Sequence, residues 1–171
     1  MTAERSRQTA AWFAAHPRLK AGVVAANRWL PLIPFACYPA LLIWLGLKLA
    51  AGQTQLLPAA VRAGLVPAAV FLGGTALRRA LNFPRPYQQP GFVPLVQKQR
   101  QGCSFPSRHA LSAGVIAAVW LYFSPAAGAA LTVVALVICG LRVLTGVHFV
   151  RDVAAGVTLG FALGLAGMWL L

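Results

Sequence analysis

The stretch ALSAGVIAAVWLYFSPAAGAALTVVALVICGL, residues 110–141, decides the fold, because it runs for 32 residues without a charged side chain. A helix that crosses a bilayer needs about 20 apolar residues, so this stretch is too long for one span. Ser124-Pro125 near its middle offers a break, since proline ends or begins helices. The sequence therefore predicts two membrane-spanning helices here.

Three further apolar runs, each bounded by basic residues on at least one side, complete the pattern: residues 29–47, residues 63–77 with an extension into 56–60, and residues 153–171. Hydrophobic residues make up 59% of the chain, compared with about 45–50% in soluble domains. We therefore expect an all-α, polytopic transmembrane helix bundle of about five spans, forming one domain over residues 29–171.

The segment before the first span, residues 1–28, has a different character. Between residues 8 and 28 it mixes apolar and aromatic side chains with basic ones, a pattern typical of a basic amphipathic helix in the membrane interface. A cleavable signal peptide is the alternative. It fits less well, because no long apolar core with a small-residue cleavage site follows the charges.

The charge balance is strongly basic, with 15 Lys and Arg against 2 acids and a net charge of +13. The basic residues are spread singly through the loops, without the aromatic-interleaved basic run that would indicate nucleic acid. We expect no nucleic-acid partner. The expected partner is a bilayer with anionic lipids, which attract each exposed Lys or Arg by about 1 kcal/mol. The sequence carries no signal for an oligomeric state.

Asp152 is the only acid in the chain besides Glu4, and it follows His148 by four residues. If residues 148–152 are helical, the two side chains share a face. The carboxylate can then accept one imidazole N–H and leave the other nitrogen free to act. The alternative is that Asp152 only caps the last helix, which does not explain the nearby Arg142. Both roles can coexist.

A second cluster, LRRALNFPRP over residues 77–86, contains Arg78, Arg79 and Arg85. These arginines could simply anchor the end of a span at the interface. However, Pro86 stiffens the turn that follows Arg85, and a planar guanidinium suits two-pronged contacts with phosphate.

A third cluster, CSFPSRHA over residues 103–110, opens the long apolar stretch. Ser104 is predicted as the helix N-cap and Pro106 as part of the first turn. A helix N-terminus binds anions, and Ser107, Arg108 and His109 would lie there. The alternative is an ordinary capped helix with a surface histidine. Alternate span ends lie on the same side, so all three clusters should face one side of the membrane.

Together the clusters resemble the type 2 phosphatidic acid phosphatase superfamily of membrane lipid phosphatases. The family pattern is a basic residue seven positions before Arg-Pro, then Pro-Ser-Gly-His, then Ser-Arg, five residues, His, three residues and Asp. The matching residues are Arg78, Arg85-Pro86, Pro106-Ser107-Arg108-His109, Arg142, His148 and Asp152.

The sequence departs from that pattern at three positions. Arg78 stands where the family usually has Lys, which keeps the charge. Leu141 replaces the usual Ser before Arg142, and Arg108 replaces the usual Gly, where its guanidinium could add a phosphate contact. The family commonly has six spans, one more than the five predicted for this chain.

The resemblance implies that His148 is the nucleophile and forms a phosphohistidine, that Asp152 orients it, and that His109 is the general acid. It further implies that the phosphoryl oxygens are held by Arg78, Arg85, Ser107, Arg108 and Arg142. The lipid phosphate substrate favoured is undecaprenyl diphosphate, followed by phosphatidic acid and phosphatidylglycerol phosphate. A non-catalytic lipid-phosphate binder or transporter is the alternative function.

No cofactor and no metal are expected. Mg²⁺ and Ca²⁺ prefer oxygen ligands, and Asp152 is the only acid in this region. A zinc site from Cys103, His109 and His148 is the alternative, although the surrounding arginines would repel a cation. We expect a multi-pass protein of the cell (plasma) membrane. The resemblance favours an extracytoplasmic active site, whereas the basic N-terminal flank of the first span favours a cytoplasmic one.

Overall fold

The computed structural model describes residues 1–171 as helices joined by short turns and one long loop. The seven α-helices are α1 (Ala3–Ala15), α2 (Pro17–Trp29), α3 (Leu32–Ala50), α4 (Leu57–Leu81), α5 (Arg108–Phe123), α6 (Pro125–Leu144) and α7 (Val150–Trp169). There are also two short 3₁₀ helices, Thr54–Leu56 directly before α4 and Pro86–Gln88 within the loop between α4 and α5, and there is no strand. The predicted all-α helix bundle is confirmed.

Four segments are long and apolar enough to cross a membrane: Pro17–Ala50, Thr54–Gln88, Pro125–Leu144 and Val150–Trp169. The remaining predicted span, α5, is third in chain order. It has 16 residues and is shorter than each of these four segments. The predicted break between the two central spans is confirmed, because α5 ends at Phe123 and Pro125 begins α6. The Ser124 hydroxyl accepts a hydrogen bond from the Ala127 N–H at 3.4 Å and caps α6.

Helix α5 is the centre of the bundle, since every residue from Ala110 to Val119 is buried. It packs most closely against α7, where Gly156 and Gly160 face it. A Cβ on Gly156 would lie 2.7 Å from the Ser107 carbonyl oxygen, and one on Gly160 would overlap the Leu111 carbonyl. Glycines four residues apart let two helix backbones approach closely, as is common in membranes. This contact brings the first turns of α5 and α7 together.

The N-terminal segment forms two helices where the sequence predicted one over residues 8–28. Pro17 occupies the first position of α2, so the chain turns at His16. The two helices contact the rest of the protein: the Ser6 hydroxyl of α1 accepts from the Val93 N–H at 3.0 Å, and Leu30 at the end of α2 packs against α5 and α6. An interfacial position for residues 1–28 stays a prediction.

The predicted start of the helix at Ser104 was wrong. Helix α5 begins at Arg108 with Ser107 as its N-cap, so neither Ser104 nor Pro106 belongs to it. The reason is that the Ser104 N–H is bonded to the Phe83 carbonyl at 2.9 Å within the loop. The condition that residues 148–152 are helical is met only in part, because α7 begins at Val150 and His148 lies in the turn before it.

Candidate active site

The loop between α4 and α5 is held at both ends by Asn82. This residue closes α4 in the left-handed conformation, with φ of 41°, and its Oδ1 accepts from the Cys103 N–H at 3.2 Å. Gly102 beside it has φ of +60°, where a Cβ would collide with Asn82. The loop therefore returns to α4 just before α5 begins, and the two basic clusters of the sequence lie side by side.

Arg78 and Arg85 are both buried and are oriented by backbone carbonyls. Arg78 donates to the Cys103 carbonyl. Arg85 donates through Nε to the Gly102 carbonyl at 3.0 Å and through Nη1 to the Val147 carbonyl at 3.4 Å. Carbonyls fix the direction of a guanidinium without neutralising it. Both side chains thus keep their full charge for an anion.

The turn between α6 and α7 is wrapped around the carbonyl of Arg142. That oxygen accepts from the Val147 N–H at 3.1 Å and the His148 N–H at 3.2 Å. Gly146, with φ of +76°, makes the reversal that brings these two donors round. The Arg142 side chain is buried, and its Nε has no partner in the protein. His148 and Arg142 are thereby placed together by a single short turn.

His148 Nδ1 lies 3.4 Å from Asp152 Oδ2, and the two side chains are 4% and 0% exposed. The same oxygen accepts from the Ser104 hydroxyl and, at 3.0 Å, from the Phe149 N–H. The contact with Nδ1 selects the tautomer that leaves Nε2 without a proton. Asp152 thus caps the first turn of α7 and also orients the imidazole of His148. The two roles that the sequence suggested for Asp152, helix cap and histidine partner, therefore coexist.

The pKa of the His148 imidazole is lowered by burial, which disfavours the charged ring. The hydrogen bond with Asp152 opposes this shift, and the charge of Arg85 adds to it. The net direction is downward from the ordinary value near 6.5. The neutral imidazole, which is the nucleophilic form, is therefore favoured.

These elements enclose a pocket of about 130 Å³. It is lined by Arg78, Arg85, Tyr87, Lys98, Arg100, Arg108, His109, Arg142, Val147 and His148. Six of the eight residues predicted from the sequence thus line one space. Asp152 lies behind His148, and Ser107 is fully buried outside the lining, with an unpartnered hydroxyl.

Sequence reasoning missed four polar residues of this site. Tyr87, Lys98 and Arg100 come from the polar loop between α4 and α5. The polar, basic composition of this loop indicated a functional region, but no motif identified these three residues within it. Ser104 was taken for a helix cap, and nothing in its spacing shows that it bonds Asp152.

The second histidine, His109, has apolar neighbours as well as the pocket. Its ring lies 6.4 Å from that of Phe35, edge to face, and the Arg108 guanidinium lies 5.8 Å from the Phe71 ring centre. The pocket therefore has a basic side and, at His109, a border with the apolar space between α3 and α4. No group of three His, Cys, Asp or Glu side chains in the protein is arranged to hold a metal ion.

The family model of the PAP2 superfamily matches residues 56–171. The crystal structure of Aquifex aeolicus LpxE aligns with 89% of this chain and 86% of its own, at 24% identity and a TM-score of 0.61, which shows a shared fold.

A second solved structure is the first transmembrane PAP2 type phosphatidylglycerolphosphate phosphatase from Bacillus subtilis. It covers 96% of this chain and 89% of its own at 26% identity, with a TM-score of 0.46 that is too low to carry an argument. No curated protein sequence matches the chain significantly.

Proposed function

This chain belongs to the PAP2 superfamily, and we propose that it is a metal-independent phosphatase that cleaves a lipid phosphate through a phosphohistidine on His148. Membership in the superfamily supports a membrane lipid phosphatase. The observation that carries the finer proposal is the buried pair of His148 and Asp152, 3.4 Å apart, whose imidazole faces a pocket lined by arginines. An oriented imidazole beside uncompensated positive charge is suited to attack on a phosphoryl group.

The reaction has two steps. His148 Nε2 attacks phosphorus and forms an N–P bond as the bond from phosphorus to the leaving oxygen breaks. His109 gives its proton to that oxygen. A water molecule then attacks the phosphohistidine and gives a proton to His109, the N–P bond breaks, and phosphate leaves. Asp152 holds the imidazole through both steps and stabilises positive charge on the ring.

The arginines supply the electrostatic part of catalysis. Phosphoryl transfer depends mainly on positioning and on stabilising charge over the non-bridging oxygens. Because carbonyls already orient Arg78 and Arg85, little reorganisation is needed when the transition state forms. Arg108 and Arg142 line the same pocket and would complete the cradle. The N-terminus of α5, capped by Ser107, adds free N–H groups beside them.

The lipid tail would lie between the spans. An apolar groove of about 230 Å³ between α3, α4 and α5 includes Phe35 and Phe71, the two rings next to His109 and Arg108. A tail in this groove would place the ester oxygen near His109. The substrates proposed are undecaprenyl diphosphate first, then phosphatidic acid and phosphatidylglycerol phosphate.

The bilayer around the protein is proposed to be the plasma membrane with anionic lipids, and the active site to face outward. Metal independence is proposed on the chemistry of the pocket. The ionisable side chains that line it are Arg, Lys, His and Tyr. The positive ones repel a divalent cation, and no carboxylate lines the pocket to bind one. The positive side chains take the role that Mg²⁺ plays in other phosphoryl-transfer enzymes.

The deciding experiment is phosphate release by the detergent-purified protein in the presence of EDTA. The three proposed lipids are tested with the parent and with His148→Ala, and His16→Ala in the N-terminal segment is the matched control. We expect release that survives EDTA, persists in the control and disappears in His148→Ala. Substantial turnover by His148→Ala would contradict the mechanism.

A lipid-phosphate binder or transporter is the other function that the basic pocket could serve. Binding needs only the arginines, whereas the contact of Ser104, Asp152 and His148 is useful chiefly for chemistry at the imidazole. If the parent released no phosphate and His148→Ala bound lipid phosphate normally, the binder would be the correct function.

A further inference from the structure

A second cavity, of about 460 Å³, adjoins the catalytic pocket. It is lined by Val24, Asn27, Arg28, Val96, Lys98, His109 and Arg142. His109, Arg142 and Lys98 line both spaces, so the proposed general acid stands at their common wall. Cavities of roughly 300–1,000 Å³ are the usual size for ligand sites.

Three residues of this cavity come from outside the region that the family model matches. Val24, Asn27 and Arg28 lie on α2, whereas the family model begins at residue 56. The three-part motif does not include them. Whatever the cavity binds would therefore contact α2 as well as residues of the family region.

Packing holds the walls of the cavity against the helix that carries Arg142. At the end of α2, Leu30 packs against the cluster that α6 forms with α5. On the opposite wall, the N–H groups of Leu95 and Val96 donate to the Thr145 carbonyl at 3.2 and 3.4 Å, directly after α6 ends. The cavity is thus bounded by elements that are fixed on both sides.

The chemistry of the lining fits an anion. Arg28 and Lys98 are exposed cations, Arg142 is a buried one, and no carboxylate lines the space. Arg142 is 7% exposed, and its Nε, which is a hydrogen-bond donor, has no partner in the protein. A buried donor without a partner costs about 1–3 kcal/mol, and a phosphate oxygen could accept from it. The side-chain NH₂ of Asn27, which is 6% exposed, offers the same anion a second donor.

We propose that this cavity is a second phosphate subsite that makes the enzyme select lipid diphosphates over lipid monophosphates. The proposal rests on the phosphatase function proposed above. His148 attacks the terminal phosphorus, and the leaving oxygen departs away from it toward His109. In a diphosphate, that oxygen belongs to the second phosphate, which carries the lipid. This second phosphate, with its negative charge, would therefore enter the cavity beside Arg28. The products are phosphate and a lipid monophosphate.

The test compares hydrolysis of farnesyl diphosphate and farnesyl phosphate by the full-length protein in detergent. Arg28→Gln removes one exposed charge from the cavity, and Asn27→Ala removes the amide. Arg18→Gln is the matched control, because Arg18 is an exposed arginine on the same helix that does not line the cavity. We expect the ratio of kcat/KM for the diphosphate to that for the monophosphate to fall about tenfold in both cavity variants, equivalent to ~1.4 kcal/mol, and to stay constant in the control.

An unchanged ratio in Arg28→Gln, or an equal fall in Arg18→Gln, would overturn the subsite. A second readout separates this failure from failure of the phosphatase function. Binding of methylenediphosphonate and of phosphate is measured for the same proteins, because neither probe requires turnover. If the parent hydrolyses neither lipid, the ratio of the affinity for methylenediphosphonate to the affinity for phosphate decides the question. A fall of this ratio in Arg28→Gln supports the subsite, and a ratio that does not fall overturns it.

Discussion

The Ser107 N–H donates to the Asp152 carbonyl oxygen at 2.8 Å and so joins the cap of α5 to the first turn of α7. His109 lies two positions after Ser107, and the side chain of Asp152 contacts His148. One backbone hydrogen bond therefore fixes His109, the proposed general acid, relative to His148, the proposed nucleophile. The close packing of α5 on α7 is what allows it.

Asp152→Asn should remove most of the activity while the protein still folds. The amide keeps the shape of the carboxylate but not its charge, and it can select the wrong imidazole tautomer. The comparable change in serine proteases lowers kcat by about 10⁴. We expect kcat for phosphate release to fall by roughly 10³ or more. Glu4→Gln, which removes the only other acid, is the matched control and should leave kcat unchanged.

Ser104→Ala tests the residue that the sequence did not single out. Its hydroxyl donates to Asp152 Oδ2, the oxygen that faces His148. Loss of one such bond, worth about 1–1.5 kcal/mol, should lower kcat roughly tenfold with little change in KM. Steady-state kinetics on one lipid substrate would measure this. Ser124→Ala, in the cap of α6, is the comparison, and an equal loss in both would mean that the effect is structural.

Arg108→Gln measures what the unusual arginine contributes. Arg108 lines the proposed catalytic pocket at the position where the family pattern has Gly. A charge-assisted hydrogen bond to phosphate is worth about 1.5–3 kcal/mol, so kcat/KM should fall by at least tenfold. Arg79→Gln, an exposed arginine one position after Arg78, should have little effect. Unchanged kinetics in Arg108→Gln would show that its side chain does not hold the substrate.

The pH profile should report the His148 imidazole. Attack requires the neutral ring, and burial lowers the pKa of His148. The rate should therefore persist below the ordinary histidine pKa and decline only at lower pH. The acid limb of kcat/KM is the measurement, because it reports the free enzyme. Since the charge of Arg85 lowers this pKa, Arg85→Gln should move the midpoint upward, and a downward shift would contradict the assignment.

Gly160→Ala should destabilise the bundle. Its new Cβ would overlap the Leu111 carbonyl of α5, and backbone cannot move aside cheaply. Overpacking of this kind typically costs about 1–3 kcal/mol. Thermal unfolding in detergent should show a lower Tm. Gly140→Ala is the matched control, because nothing lies within 4 Å of a Cβ there. An unchanged Tm in Gly160→Ala would mean that α5 and α7 can separate.

The sequence by itself determined the helix bundle and most of the pocket. Charge-free runs separated by basic residues locate the apolar helices, because a charged side chain in the bilayer core is costly. The break at Ser124-Pro125 follows from the proline ring, which is favoured in the first turn of a helix, and from Ser124, which caps α6. The alternation of span ends was sufficient to bring Arg78, His109 and His148 to one end of the bundle.

Only the tertiary structure decided the contacts that depend on distant backbone. Ser104 bonds Asp152, and Arg85 bonds Gly102 and Val147, across separations of 48, 17 and 62 residues. Local sequence cannot fix such partners. The same holds for α2, which the sequence predicted as part of an amphipathic helix in the membrane interface, although its Asn27 is buried and lines a cavity together with His109. Helix periodicity specifies which residues are apolar, whereas packing specifies which polar groups meet.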